Sequence, residues 1–298
     1  MQVKMLAGNT GYIDGHQLIG LYRTDDSHCV LLDCGPASLR GEIEQALSDA
    51  GLTPVGALCT HTHFDHFGNA AYFQDKYAIP VALPFGEAEL CRTWPAVKSH
   101  LYVYTAGQIM SDPELKGIPC TVDRIVMPDQ EDFLFCGVYF KILHTPGHSP
   151  DHISIITPDR VCYGGDALLC GRNLTVSKLP YAYNFRQSLE SFELHRSIAC
   201  DYLLLAHDGV IGAPFDELVD ANRTAMLERL ELVRNTVDRE MSVEEIFTAV
   251  RQAMGIRVDT PRKALSLERF LRPYLECMID DGTHRQTVRD GVLCLAPV

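Results

Sequence analysis

No apolar run in this sequence approaches the roughly 20 residues needed to cross a bilayer, so no membrane span is expected. The opening stretch, MQVKMLAGNTGY, lacks an apolar signal core, and no secretion signal is expected either. Cysteine is present, 11 times, but the count is odd and no pair has CxxC spacing. Cys29, Cys59, Cys136, Cys162 and Cys294 sit in apolar, strand-like runs. Buried thiols in a reducing cytoplasm fit that pattern better than a disulfide framework. Positive charge is short as well: 26 Lys and Arg stand against 39 Asp and Glu, a net of −13. That disfavours tight non-specific binding of nucleic acid and leaves room only for a local basic groove. Internal repeats, low-complexity tracts and long linkers are missing. What remains, in 298 residues, is one large globular unit or a main domain with a small appendage.

The chain reads as alternating strands and helices. Gln17 to Arg23 and Cys29 to Asp33 predict a hairpin about TDDSH. A helix from Ser38 to Ala50 ends at Gly51, and Gly56 to Cys59 is a short apolar strand. Asn69 to Tyr77 predicts a helix and Ile79 to Leu83 a strand, so the first half favours a layered α/β fold. Residues 85–110 are aromatic and helical in pieces, and 121–143 are strand-rich. The loop HTPGHSPDH precedes a hairpin of Ile153 to Ile156 with Arg160 to Tyr163. Phe185 to Cys200 predicts a helix, with Asn184 and Gln187 spaced as a capping box. The strand Tyr202 to Leu205 ends in AHDG. From Pro214, three helical patterns and a hairpin about Asp290-Gly291 describe a small winged-helix-like unit, giving domains 1–213 and 214–298.

Chemistry is concentrated in LCTHTHFDHFGNA, residues 58–70. Neutral imidazole and carboxylate are good ligands for zinc and similar metals. The one-residue spacing lets His61 and His63 point to one side of an extended segment; Asp65 and His66 follow around the turn toward a neighbouring position. Four ligands in one loop are too many for one open catalytic metal, which suggests two metals. His148 can complete the first set, His207 the second, and Asp166 can bridge both. Asp166 and His207, like the opening motif, follow strand ends, and such ends in one sheet converge on one edge. Two divalent metals, zinc first with iron or manganese also compatible, would share a hydroxide that attacks an acyl or phosphoryl centre. Asp65 and Asp166 are the candidate catalytic carboxylates.

The sequence resembles the metallo-β-lactamase superfamily. The carrying residues are LLDCG at 31–35, THTHFDH at 60–66, TPGHS at 145–149, GGDAL at 164–168 and LAHDG at 205–209. The resemblance covers residues 1 to about 213. It implies an αβ/βα sandwich with a dinuclear centre on one edge, and hydrolysis of esters, thioesters, lactams, lactones or phosphodiesters. TPGHSPDH, with Asp151-His152, and the tail are similar to the β-lactamase-like protein 2 group, some of whose members are endoribonucleases on single strands. Two departures stand out. The last motif is AHDG where PGHG is common, and residues 214–298 carry 12 Lys and Arg against 15 Asp and Glu, a net of −3.

Asp33 can orient a ligand histidine, and His152 can stand behind the site or give a proton to a leaving group. Thr60 is a lesser candidate for bonding within the loop. His144 reads as a satisfied loop residue, and His16, His28, His100, His195 and His284 read as non-ligands. Tyr102, Tyr104, Tyr181 and Tyr183 are candidates for a substrate cleft. Arg262 and Lys263 form the best local basic spot but read as a solvated helix start. The function expected is hydrolysis of an ester or thioester of a small acid, by a cytoplasmic enzyme acting on small molecules. The alternatives are a phosphodiesterase or endoribonuclease, a mononuclear iron persulfide dioxygenase of the same fold, and a metal-retaining regulatory module.

Overall fold

Alternation of side chains along the strands sets the layers. The computed structural model describes residues 1–116, 118–207 and 209–298. Its first sheet follows chain order: β1 (Gln2–Ala7), β2 (Thr10–Asp14), β3 (Ile19–Arg23), β4 (His28–Leu32), β5 (Thr53–Leu58), β6 (Val81–Pro84) and β7 (Arg124–Val126). β1 to β4 form an antiparallel meander and β4 to β7 are parallel. The second sheet holds β8 (Asp132–Phe135), β9 (Val138–His144), β10 (Ile153–Ile156), β11 (Val161–Gly165), β12 (Tyr202–Leu205) and β13 (Gly209–Gly212). Its spatial order is β13-β12-β11-β10-β9-β8, with β11 and β12 parallel. Parallel neighbours need crossovers. The Arg40–Asp49 helix supplies one between β4 and β5, and the Phe185–Leu194 helix one between β11 and β12.

Val30, Leu32 and Leu58 of the first sheet pack with Phe140, Ile153, Ile155, Tyr163 and Leu204 of the second in one buried cluster. The residues between them point the other way. Cys29, Leu31, Ala57 and Cys59 pack under the Arg40–Asp49 and Ala70–Tyr77 helices. Cys162, Leu203 and Leu205 pack under the Phe185–Leu194, Asp216–Thr236 and Pro261–Asp280 helices. The result is the expected α/β sandwich, helix–sheet–sheet–helix. Strands covered on both faces are apolar at nearly every position, as HCVLL and VCYGG show.

The tail carries the three expected helices, Asp216–Thr236, Val243–Ala253 and Pro261–Asp280. A short strand β14 (Met241–Ser242) joins the expected hairpin of β15 (His284–Arg289) and β16 (Val292–Pro297) in a small sheet. The tail has no core of its own: Val219, Met226, Leu271 and Tyr274 belong to the same cluster as Leu203 and Leu205. Several features depart from the sequence reading, the strands β13 and β14 among them. The β1–β2 hairpin is unforeseen, as is the Gly171–Val176 helix. The helix expected over 185–200 ends at Leu194 and passes into a tight turn, His195–Ser197. At its start Asn184 accepts from the Gln187 backbone N–H at 3.0 Å, one half of the expected box. Among the described residues no helix is long and apolar enough to cross a membrane.

Candidate metal centre

β5 delivers an extended segment from Cys59 to His63, and the short Phe64–Phe67 helix then turns the chain. His61 and His63 therefore leave the strand, while Asp65 and His66 lie within the helix. His148 sits in the β9–β10 loop, Asp166 follows β11 and His207 follows β12. The sequence places these loops on one sheet; the structure draws them from two. The facing of the sheets, which local sequence does not encode, brings the loops together. Asp208 of the LAHDG motif lies outside the described residues.

Two groups result. The donor atoms of His61, His63, His148 and Asp166 lie within 4.8 Å of one another, and so do those of Asp65, His66, Asp166 and His207. Asp166 stands between them, 3.2 Å from His66 Nε2, 3.3 Å from His148 Nε2 and 3.4 Å from His207 Nε2. His148 Nε2 is 2.9 Å from His63 Nδ1, and His207 Nε2 is 3.2 Å from Asp65 Oδ2. Burial and the surrounding imidazoles hold His61 and His63 well below the usual histidine range, and His148 falls to about 4. These rings are neutral, the form that binds metal. Burial opposes charge on His66 too, but Asp166, Asp65 and Asp33 outweigh it and raise its pKa. A buried polar atom without a partner is costly. His61 Nε2 and His63 Nε2 are such atoms. Neutral imidazoles, shared carboxylates and orphaned donor atoms fit a divalent cation.

A buried frame orients the candidate donors. Asp33, at φ +68, accepts from the Thr60 backbone N–H and His66 Nδ1–H at 2.7 Å each, and from the Tyr163 hydroxyl at 2.9 Å. The Thr60 hydroxyl donates to Asp33 and accepts from His61 Nδ1–H at 2.9 Å. Both rings thereby turn Nε2 toward the other donors. Thr145 Oγ1 lies 2.8 Å from His152 Nδ1, and His152 Nε2 accepts from the Asp166 backbone N–H at 3.3 Å. That contact makes His152 a support for Asp166; its Nε2 has no proton to give a leaving group. Gly165 lies between, at φ +50, where a Cβ would meet Thr60 Oγ1 at 2.7 Å and His152 Nε2 at 2.9 Å. Gly147, at φ +129, lets the His148 loop approach the backbone of Ser188, which a Cβ would meet at 2.3 Å.

Sequence reasoning missed several neighbours. Glu87 is fully buried; it accepts from the backbone N–H and hydroxyl of Thr62 at 3.1 and 2.7 Å, and from the Asp151 N–H at 3.2 Å. It ties the His61–His66 loop to the His148 loop. Gln17 Nε2 lies 3.2 Å from His66 Nε2. No local motif marks either residue, because tertiary packing alone brings them in.

A cavity of about 260 Å³ opens on His63, Asp65, His148 and Asp166, with apolar walls including Val97, Leu101, Leu115 and Ile118. Tyr181 lines it, with its ring 5.4 Å from His63 and 5.5 Å from His148. Tyr102 and Tyr183 line an outer groove instead. Tyr104 packs against the first helical layer, its hydroxyl 3.4 Å from Ser266 Oγ. His100, set aside by the sequence reading, lines the cavity and stacks on His63 at 6.2 Å. His144 bonds the Gln130 carbonyl, and His195 bonds Ser154 and the Ser191 carbonyl. Arg262 and Lys263 pair with Asp112 and Asp259, so that basic spot is neutralised.

Comparisons agree with this geometry. The family model described as Metallo-beta-lactamase superfamily matches residues 12–207. A probable metallo-hydrolase, YqgX, of Bacillus subtilis is 32% identical over 49% of this chain and 64% of its own length. An atrochrysone carboxyl ACP thioesterase of Pseudocercospora fijiensis is 25% identical over 84% of this chain and 65% of its own. A hydroxyacylglutathione hydrolase of Nitrosomonas eutropha is 23% identical over 78% and 71%. The chain thus spans somewhat under two thirds of the first two relatives. Among solved structures, a beta-lactamase domain protein from Burkholderia ambifaria aligns over 99% of this chain and 93% of its own, with a TM-score of 0.72 at 19% identity. A metallo-beta-lactamase family protein from Thermus thermophilus gives 0.73 at 18% identity, over 94% and 93%. The matched region spans both candidate donor groups, and the chain belongs to the metallo-beta-lactamase superfamily.

Proposed function

We propose that this chain is a cytoplasmic, metal-dependent hydrolase that holds two divalent metals, zinc first, and cleaves an ester or thioester of a small acid. The observation that carries the reading is Asp166, shared by two four-donor groups at the head of a cavity. His61, His63 and His148 would hold one ion, Asp65, His66 and His207 the other, with Asp166 between. The chemistry such ions would supply there is a lowered pKa for bound water, about 7, and polarisation of a carbonyl oxygen. The chain's own residues do the positioning. Asp33 and Thr60 fix the rings of His66 and His61, and His152 holds the Asp166 backbone. The apolar walls lower the local polarity, which strengthens electrostatic interactions beside them. Among the described cavity-lining residues the one hydroxyl besides Tyr181 is Thr62, and it donates to Glu87. The lining therefore offers no activated serine or cysteine. Residues 214–298, a winged-helix-like unit in this reading, complete the cavity with Arg269 and Phe270.

The relatives named as thioesterase and hydroxyacylglutathione hydrolase support thioester chemistry. The test is metal-loaded protein against ester, thioester and bis-aryl phosphate panels. The expected result is fastest cleavage of a thioester or ester, lost on chelation and in His61→Ala. Preference for the phosphate diester would instead select the phosphodiesterase reading. Cleavage of none, with His61→Ala altering only binding of a partner, would leave a regulatory module.

A further inference from the structure

Arg269 lies on the Pro261–Asp280 helix and reaches back to the metal-facing cavity. Its Nε donates to the Tyr181 hydroxyl at 3.1 Å and its Nη2 to His100 Nε2 at 3.0 Å. Its guanidinium lies 4.9 Å from the Tyr181 ring centroid. Guanidinium carries five N–H donors and no acceptor, so these contacts leave donors unused. Arg272, the other arginine of the outer groove, pairs with Glu268. Among the described residues no carboxylate forms an ion pair with Arg269. A half-buried cation is stabilised by a counter-charge, and the hydrogen-bond partners described for Arg269 are neutral, although Glu276 lines the same outer groove.

Its position gives this meaning. The inner cavity is apolar apart from the donor residues, Thr62 and the His100–Tyr181–Arg269 bridge. An outer groove of about 520 Å³ begins at the same three residues and continues past Ser99, Tyr102, Tyr183, Asn184 and Arg272. Arg269 thus stands at the neck between the two spaces. The Tyr181 ring stands 4.9 Å from its guanidinium and 5.4 and 5.5 Å from the His63 and His148 rings, so Arg269 and the histidine donors share one wall of the cavity.

We propose that Arg269 is the anion-binding residue of the site, selecting esters or thioesters that carry a carboxylate several bonds from the scissile carbonyl, with an apolar stretch between the two. This rests on the hydrolase reading above. It gives the tail a function: supplying the charge that chooses the substrate. The carboxylate can belong to the acyl part or to the thiol part, and two pairs of thioesters separate these. One pair is a thioester of glutaric acid and its methyl-capped twin. The other is an acyl thioester of 3-mercaptopropionic acid and its methyl-capped twin.

In one pair the free acid should show at least a tenfold higher kcat/KM than its capped twin. Arg269→Met should erase that ratio, and Arg269→Lys should keep part of it, since it retains the charge but not the fork. Equal rates for acid and capped twin in both pairs, or a preference that survives Arg269→Met, would overturn the proposal. If no thioester turns over, the hydrolase reading fails separately. Calorimetry with the non-cleavable thioether acids and their capped twins then still reads the subsite. Tenfold tighter binding of an acid by the wild type, lost in Arg269→Met, supports it; equal affinities in the wild type overturn it.

Discussion

Replacing Asp33 by asparagine should damage the site more than the isosteric change suggests. One carboxylate oxygen accepts the Thr60 backbone N–H at 2.7 Å; the other accepts His66 Nδ1–H at 2.7 Å and the Tyr163 hydroxyl at 2.9 Å. An amide offers one oxygen. Whichever way it turns, its NH₂ group meets an N–H donor, from Thr60 or from His66. Two charge-assisted bonds are lost or inverted in a fully buried place, which costs about 3–5 kcal/mol. If the amide turns its NH₂ toward His66, the imidazole must accept at Nδ1 and carry its proton on Nε2, where a metal would bind. Loss of such a supporting partner lowers metal affinity about 10–100-fold. Tyr163→Phe is the control, since it removes one donor and should cost about 1 kcal/mol. Zinc affinity by competition with a chromophoric chelator, beside chemical denaturation, reads both effects. Asp33→Asn binding zinc within twofold of wild type, at unchanged stability, would refute the reasoning.

Other perturbations test separate parts. Glu87→Ala strands the Thr62 N–H and hydroxyl and the Asp151 N–H; metal affinity should fall about tenfold or more and stability by about 3 kcal/mol, measured by titration calorimetry and denaturation. Gly165→Ala forces a Cβ against Thr60 and His152 at φ +50, and should cost about 2–4 kcal/mol in a urea titration. His195 is held at about 4 by burial, against its usual 6.5. The unfolded chain binds that proton first as pH falls, so the contribution, roughly 3 kcal/mol, is full above pH 6.5 and lost on descending to about 4. His195→Gln should flatten the stability profile over that window; an unchanged slope between pH 6.5 and 4 would contradict it.

The clustering of the candidate donors was legible because metal chemistry restricts residue types and strand ends restrict their places. His61, His63, Asp65, His66, His148, Asp166 and His207 all arrive in the two groups read from spacing. Asp33 was legible as a companion because it, too, follows a strand. Which sheet each strand joins was not legible, since β5 and β11 read alike as short apolar runs. β1 was invisible for a different reason. It is an exposed edge strand whose residues show no buried alternation, and pairing with β2 alone defines it. Glu87, Gln17 and Arg269 carry no local signal and depend on packing between distant elements. The tyrosines divide for the same reason: only Tyr181 stands beside the donor histidines, while Tyr102 and Tyr183 are a layer further out.

Metal content per chain bears most directly on the central claim. Protein equilibrated with zinc and freed of excess should contain two ions per chain by elemental analysis, falling to one in His207→Ala, with the His61, His63 and His148 group intact. One ion per chain in the wild type, unchanged by His207→Ala or His66→Ala, would contradict the two-metal account and favour a mononuclear centre on the same fold.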